Sequence, residues 1–267
     1  MLRDITLGQY YQTESVVHRL DPRVKLVTTI AFIVSLFVVD NIAGYALAGL
    51  FLFLVIRLSR VPVKFMMRGM KSIAFLLVVA VVFNLFLTQG EVVVSFWKLR
   101  ITKEGIYYAG FMAVRLVFLI MGSSVMTLTT TPNHLTDGLE KLLNPLKAIK
   151  VPVHEISMMM SIALRFIPIL LEETDKIMKA QIARGADFES GNLLKRVKSM
   201  VPLLVPLFIS AFRRANDLAT AMEARCYRGG EHRTKMKPLV YHRRDYAAYG
   251  IVCVYLALCI VIGNILF

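Results

Sequence analysis

Five apolar runs, at about 24–40, 42–58, 71–88, 107–130 and 246–266, dominate the order of residues in this chain. Crossing the hydrocarbon of a bilayer takes roughly 20 mostly apolar residues in a helix, because every backbone amide must be satisfied inside the segment. Each run approaches that length, so the pattern predicts an all-α membrane protein with about five transmembrane helices. Composition agrees: 57% of residues are hydrophobic and mean hydropathy is +0.61, more than a soluble domain needs. Asp40-Asn41 is nearly all that joins the first two runs, which predicts a tight helical hairpin. Some twenty mostly polar residues precede the first run, an arrangement that does not read as a cleavable signal peptide.

The formal net charge of +14 would suggest nucleic acid in a soluble protein. Here the basic residues flank the apolar runs, which points to topology and away from a nucleic-acid partner. Arg19, Arg23 and Lys25 border the first run, and Arg57, Arg60, Lys64, Arg68 and Lys71 fill the gap between the second and third. Positive flanks on the cytoplasmic side put the N-terminus inside, the Asp40-Asn41 turn and the 89–106 loop outside, and the C-terminus outside. The stretch 131–245 then lies in the cytoplasm, and its 19 Lys/Arg against 12 Asp/Glu agree in sign. Lys98, Arg100 and Lys103 in the outer loop dissent mildly. The expected organisation is a membrane domain over 1–130, a cytoplasmic arm over 131–245 and a closing transmembrane helix over 246–267.

Within the arm, Thr130-Thr131-Pro132-Asn133 starts a short polar helix running toward Asn144-Pro145. Val151-Pro152 then opens a long helix whose apolar stripe is Ile156, Met160, Ala163, Ile167, Leu170, Thr174 and Ile177. A second long helix follows Gly191-Asn192, with the stripe Val197, Val201, Leu204, Phe208, Ala211, Ala215, Leu218 and Met222. Steps of four and three make this a coiled-coil-like seam, whose simplest partner is the first arm helix. Pro168, Pro202 and Pro206 fall inside these helices and are expected to bend or locally open them.

Both long helices close alike, in Ala183-Arg184-Gly185 and in Ala224-Arg225-Cys226. A cation in a last helical turn is stabilising by about 0.3–1 kcal/mol, so each arginine alone could be ordinary helix-end electrostatics. Their repetition favours a second role. A guanidinium is a planar, permanently charged fork suited to gripping a carboxylate.

These motifs, with Leu20-Asp21-Pro22-Arg23, Gly105 and Arg115, Thr130-Thr131-Pro132, Arg165-Phe166-Ile167-Pro168, Ala221-Met222-Glu223-Ala224-Arg225 and Arg233-Thr234, come in an order that resembles one family. The family is the transmembrane T component of energy-coupling factor transporters, the ABC-type vitamin importers. The resemblance runs over nearly the whole chain. It implies that Arg184 and Arg225, with Ala183, Gly185, Ala224 and Cys226, end coupling helices that dock onto two ATP-binding subunits. The unequal third residues (Gly185 against Cys226) hint that those subunits differ. It also implies that the arm contacts a small substrate-capturing S-component membrane protein, and Met159, Met160, Ile167, Leu204 and Phe208 are its expected contact surface. Cys226 departs from the usual glycine and puts in question how tightly the second helix stops.

Asp21, Pro22, Arg23 and Arg115 read as structural. Asp21 is placed to cap a helix that Pro22 starts, and the resemblance adds a packing role against the arm. Arg115, about a third of the way into the fourth run, would snorkel or pair with a polar atom of a neighbouring helix. Met158, Met159, Met160, Met178 and Met222 fill core gaps or serve a surface that accepts several partners. The chain has no phosphate-cradling G-x-x-x-x-G-K-[ST] and no H-E-x-x-H. Cys226, Cys253 and Cys259 lack metal-ligand spacing with any histidine. No metal or cofactor is therefore expected, and no catalysis on this chain. Two alternatives are a stand-alone carrier with its own substrate path, for which Arg115 is thin support, and a membrane hydrolase using Gly122-Ser123-Ser124.

Overall fold

The structure, a computed structural model, describes residues 10–39, 41–88, 90–96, 99–186, 188, 193–230 and 236–265. Asp40, Lys98, Gly191-Asn192 and Arg233-Thr234, named above, lie outside the described residues. The described chain divides into two compact units, residues 140–238 in one and residues 10–139 with 239–265 in the other.

The larger unit is a helical bundle. Asp21 accepts the Arg23 amide and Pro22 occupies the first turn, so α1 runs Pro22–Val38. After the short link, α2 runs Ile42–Ser59 and ends at Arg60 in the left-handed region (φ 55°). The third helix, α3 (Val63–Leu87), begins well before its apolar run, with Lys64 in its first turn. The fourth, α4 (Lys103–Thr129), is capped by Thr102, whose hydroxyl accepts from the Gly105 amide. This helix is central, packing against α1, α2 and α3, and the last helix, α8 (Arg243–Ile265), packs on α1 and α2. One buried cluster joins Phe32, Leu36, Tyr45, Leu52, Tyr255 and Cys259. Phe51 stacks on Tyr255 with centroids 4.4 Å apart, and the Tyr255 hydroxyl lies 2.8 Å from Ser35 Oγ.

The all-α class holds with one addition that apolar periodicity did not predict. Between α3 and α4 lies a small antiparallel hairpin of β1 (Val92–Phe96) and β2 (Leu99–Thr102), with Phe96 opposite Leu99. The run of valines favours extended backbone, and Thr102 fastens its end by donating to the Thr88 carbonyl at 2.9 Å.

Beyond α4 comes α5 (Pro132–Leu143) and a 3-10 turn over Asn144–Ile149. The smaller unit then holds the two long helices, α6 (Val153–Ala183) and α7 (Leu193–Ala224). Both run unbroken through Pro168, Pro202 and Pro206. By length and composition α2, α4, α6 and α8 can each cross a membrane. The inclusion of α6 departs from the sequence expectation, and α1, at 17 residues, falls just short.

Candidate functional site

Three contacts fix the direction of the long helices. Gln181 Nε2 donates to the Pro202 carbonyl at 3.4 Å. Arg214 pairs with Glu173 at 3.1 Å. Met158 and Arg165 share a cleft with Leu218 and Arg225. The end of α6 thus meets the start of α7, and the end of α7 meets the start of α6. The pair is antiparallel. At 1.5 Å per residue the two arginine-bearing ends lie on the order of 40 Å apart.

The two ends share one hydrogen-bond design. Arg184 is the C-cap of α6. Gly185 (φ 85°) donates to the Ile182 carbonyl at 2.9 Å and Ala186 to the Gln181 carbonyl at 2.9 Å. At the end of α7, Cys226 (φ 56°) donates to Glu223 at 2.8 Å and Tyr227 to Met222 at 3.0 Å. Both are the Schellman stop, in which a left-handed residue lets two amides reach back to orphaned carbonyls. Cys226 therefore stops its helix as Gly185 does, although a side chain in that conformation costs about 1–2 kcal/mol. Ala183, Arg184, Gly185, Ala224, Arg225 and Cys226 are all exposed, and among the described residues neither Arg184 nor Arg225 has a salt-bridge partner.

The ends differ in their surroundings. Arg225 lines a cleft of about 650 Å³ with Arg165, Arg228, Phe166, Met222 and Tyr227. Three guanidinium groups and, among the described residues, no carboxylate border it, so it favours an anionic guest with an apolar neighbour. Behind the cleft, Glu140 accepts from Ser157 Oγ at 2.9 Å and lies 3.1 Å from His154 Nδ1. Gly230 closes tightly on the His154 ring, where any side chain would collide. Ser157 bonds the carboxylate and not the imidazole, so this trio lacks the order of a hydrolase triad. Ser123 spends its hydroxyl on its own helix carbonyl, Ile120 O, at 3.1 Å.

The predicted seam needs correction. Along the first half of α7, Val201, Leu204 and Phe208 are exposed (50%, 45% and 61%), as are Met200, Val205, Ile209 and Phe212. The side chains withdrawn from solvent there are Leu203, Pro206, Leu207 and Ser210. A four-three repeat names a face but not what covers it. On α6, Met159 (59%) and Met160 (39%) are exposed while Ile167 is half-buried. Val197 carries no described side chain.

In the larger unit, Arg23 grips Asp21 with two bonds, Nε to Oδ1 at 3.0 Å and Nη2 to Oδ2 at 2.8 Å. It also lies 3.8 Å from the centre of the Tyr241 ring. The Asp21 amide donates to buried Asp245 at 2.9 Å, tying α1 to α8. Burial alone would raise the Asp21 carboxyl. The hydrogen bonds and charge of Arg23 together outweigh it and hold that carboxyl below its ordinary value. Arg115 Nε donates to the Tyr45 hydroxyl on α2 at 2.7 Å, and Tyr45 donates to the Leu36 carbonyl at 3.2 Å, near the end of α1. Each of these groups holds helices together.

Sequence reasoning passed over Gln181, Arg228, Glu140 and Asp245 and took Lys25 only as a charged flank of the first run. Arg228 had a signal, three residues beyond Arg225. The others act through contacts remote in sequence, and nothing local marked them.

Fold and site define a class: a predominantly helical integral membrane protein carrying two long antiparallel helices, each finished by the same arginine-bearing stop. The CbiQ family, described as cobalt transport protein, matches residues 13–236. A protein of Thermosediminibacter oceani named energy-coupling factor transporter transmembrane protein is 56% identical over 248 residues, covering 93% of this chain and 94% of its own. Proteins of the same name from Ruminiclostridium cellulolyticum (53% identical over 267 residues, all of both chains) and Bacillus subtilis (50% over 246 residues, 92% and 93%) agree. The chain belongs to this family of energy-coupling factor transporter transmembrane proteins.

Proposed function

We propose that this chain is the mechanical coupler of a vitamin or micronutrient importer. Two ATP-binding subunits, which need not be identical, dock at Arg184 and Arg225 with their flanking Ala183, Gly185, Ala224 and Cys226. ATP-driven closing and opening of those subunits moves α6 and α7, and the long helices move an S-component membrane protein that has captured the substrate. ATP hydrolysis belongs to the partners and no bond is made or broken on this chain.

The observation that carries this reading is the pair of matched stops at opposite ends of one antiparallel couple. Two exposed guanidinium groups on the order of 40 Å apart suit two separate docking sites better than one shared site. The cleft of Arg165, Arg225 and Arg228 suits an acidic residue of the partner set beside an apolar plug. The exposed faces at Met159, Met160, Leu204 and Phe208 suit an apolar partner, and Ile167 borders them. Arg243 and Arg244 opening α8 favour a cytoplasmic 131–245 segment between membrane parts at 1–130 and 246–267, with the N-terminus inside and the C-terminus outside. The apolar composition of α6 then fits a helix lying along the interface.

Co-purification tests it. With tagged protein in mild detergent, Arg184→Glu and Arg225→Glu are each expected to reduce recovery of ATPase subunits and substrate uptake. Assembly and uptake intact in both variants would rule the coupling role out.

A further inference from the structure

Within the larger unit, α1, α2, α4 and α8 leave a crevice of about 280 Å³. Its lining comes from one end of all four helices: the starts of α1 and α8 and the second halves of α2 and α4. Lys25 and Arg244 border it near those helix starts, and Phe32, Leu52, Val125 and Val252 make apolar walls. Phe32 lies seven residues beyond Lys25, so the wall runs roughly 10 Å along α1 from the cations.

Among the described residues neither cation has a salt-bridge partner. Lys25 is 7% exposed, and its ammonium donates to the His18 carbonyl at 3.1 Å and the Thr129 carbonyl at 2.8 Å. An ammonium has three donors, so one remains. The nearby carboxylates are engaged elsewhere, Asp21 with Arg23 and Asp245 with the amides of Asp21 and His242. Arg244 is exposed and has no ion pair among the described residues. Buried charge without a partner is costly, and basic pockets between membrane helices are suited to anionic headgroups. A free anion would satisfy the cations and leave the apolar length of the crevice empty. An amphiphile fills both.

We propose that this crevice binds one anionic phospholipid, its phosphate at Lys25 and Arg244 and an acyl chain along Phe32, Leu52, Val125 and Val252. On the orientation given above the lipid belongs to the inner leaflet. It would brace the junction of α1 with α8 that the Asp21–Asp245 bond also holds.

Native mass spectrometry of the delipidated full chain, titrated with phosphatidylglycerol or phosphatidylcholine, tests the site. One phosphatidylglycerol per chain should be retained in preference to phosphatidylcholine. Arg244→Gln, at an exposed position, should weaken that binding about fivefold, the factor one basic residue contributes at a membrane surface. Ala248→Phe, which fills the crevice from α8, should remove it. Equal retention of the two lipids, or unchanged phosphatidylglycerol binding in both variants, would overturn the proposal. Displacement of the lipid by inorganic phosphate at equal concentration would assign the cations to a free anion and overturn it as well.

Discussion

Gly185 and Cys226 occupy the same position in the same hydrogen-bonded helix stop, one at φ 85° and the other at φ 56°. Glycine adopts that region freely, whereas cysteine pays for its Cβ. Cys226→Gly should therefore raise thermal stability in detergent by about 1 kcal/mol, and Gly185→Ala should lower it by a similar amount. The contrast in sign is the check, because both changes alter one small group on an exposed turn. Matching shifts in the same direction would mean that the two stops are not equivalent.

The antiparallel arrangement makes the two arginine-bearing ends independent. Sites further apart than about 10 Å with no shared partner have additive effects. If each end docks its own subunit, Arg184→Glu should reduce binding of one ATPase and Arg225→Glu of the other. The double variant should lose the sum, within about 0.5 kcal/mol. Affinity of purified ATPase subunits for the four variants of the cycle measures this. A single change that abolishes both dockings would show the ends to be coupled.

Asp21 gives the fold a pH dependence whose sign is fixed. Its carboxyl titrates below the ordinary 3.8 because Arg23 favours the charged form. The stabilisation is therefore complete above that ordinary value and is lost as pH falls through the lowered one. Asp21→Asn keeps a capping side chain and removes the charged bonds, so it should cost about 2 kcal/mol near neutrality. The gap from wild type should hold from pH 7 to about 5 and shrink below 4. Asp245 and His242 lie beside Asp21 in both proteins, so their influence largely cancels in the difference. Melting curves across that range are the measurement, and a gap that widens in acid would contradict it.

Much of this was legible because it is local. Asp21-Pro22 announces the start of α1, and Ala183-Arg184-Gly185 the end of α6, since capping chemistry lies within a few residues of the boundary it sets. The apolar runs found α2, α4 and α8 but missed α6, which is also long and apolar enough to cross a membrane. They misplaced the start of α3, because Lys64 sits inside a helix that the run excludes. The repeat on α7 predicts one face toward α6, but in the first half of the helix the side chains withdrawn from solvent are Leu203, Leu207 and Ser210 instead. Leu218 and Met222 of that repeat do share a cleft with α6. Periodicity fixes which residues share a face, whereas the neighbour that covers a face is a property of the whole fold. The same limit hid the antiparallel direction, the Glu140–His154–Ser157 trio and buried Lys25. Each joins residues that carry no mark of one another in sequence.

Gln181 shows how such a remote contact can be tested. Proline at 206 has no amide hydrogen, so the carbonyl of Pro202, four residues earlier, loses its helical donor. Gln181 Nε2 from α6 takes that place at 3.4 Å, long for a hydrogen bond and therefore at the weak end of the usual range. Gln181→Leu should cost about 0.5–1 kcal/mol in the helix pair, since the carbonyl is left without a protein donor. In a Pro206→Ala background the backbone amide is restored, and the same Gln181→Leu change should then cost close to nothing. The coupling between the two positions is thus predicted to equal nearly the whole single-variant effect, a pattern that simple loss of side-chain packing would not produce. Thermal melts of the four proteins decide it. Equal costs in both backgrounds would leave Gln181 as a surface contact and detach the end of α6, with Arg184 at its tip, from the prolines of α7.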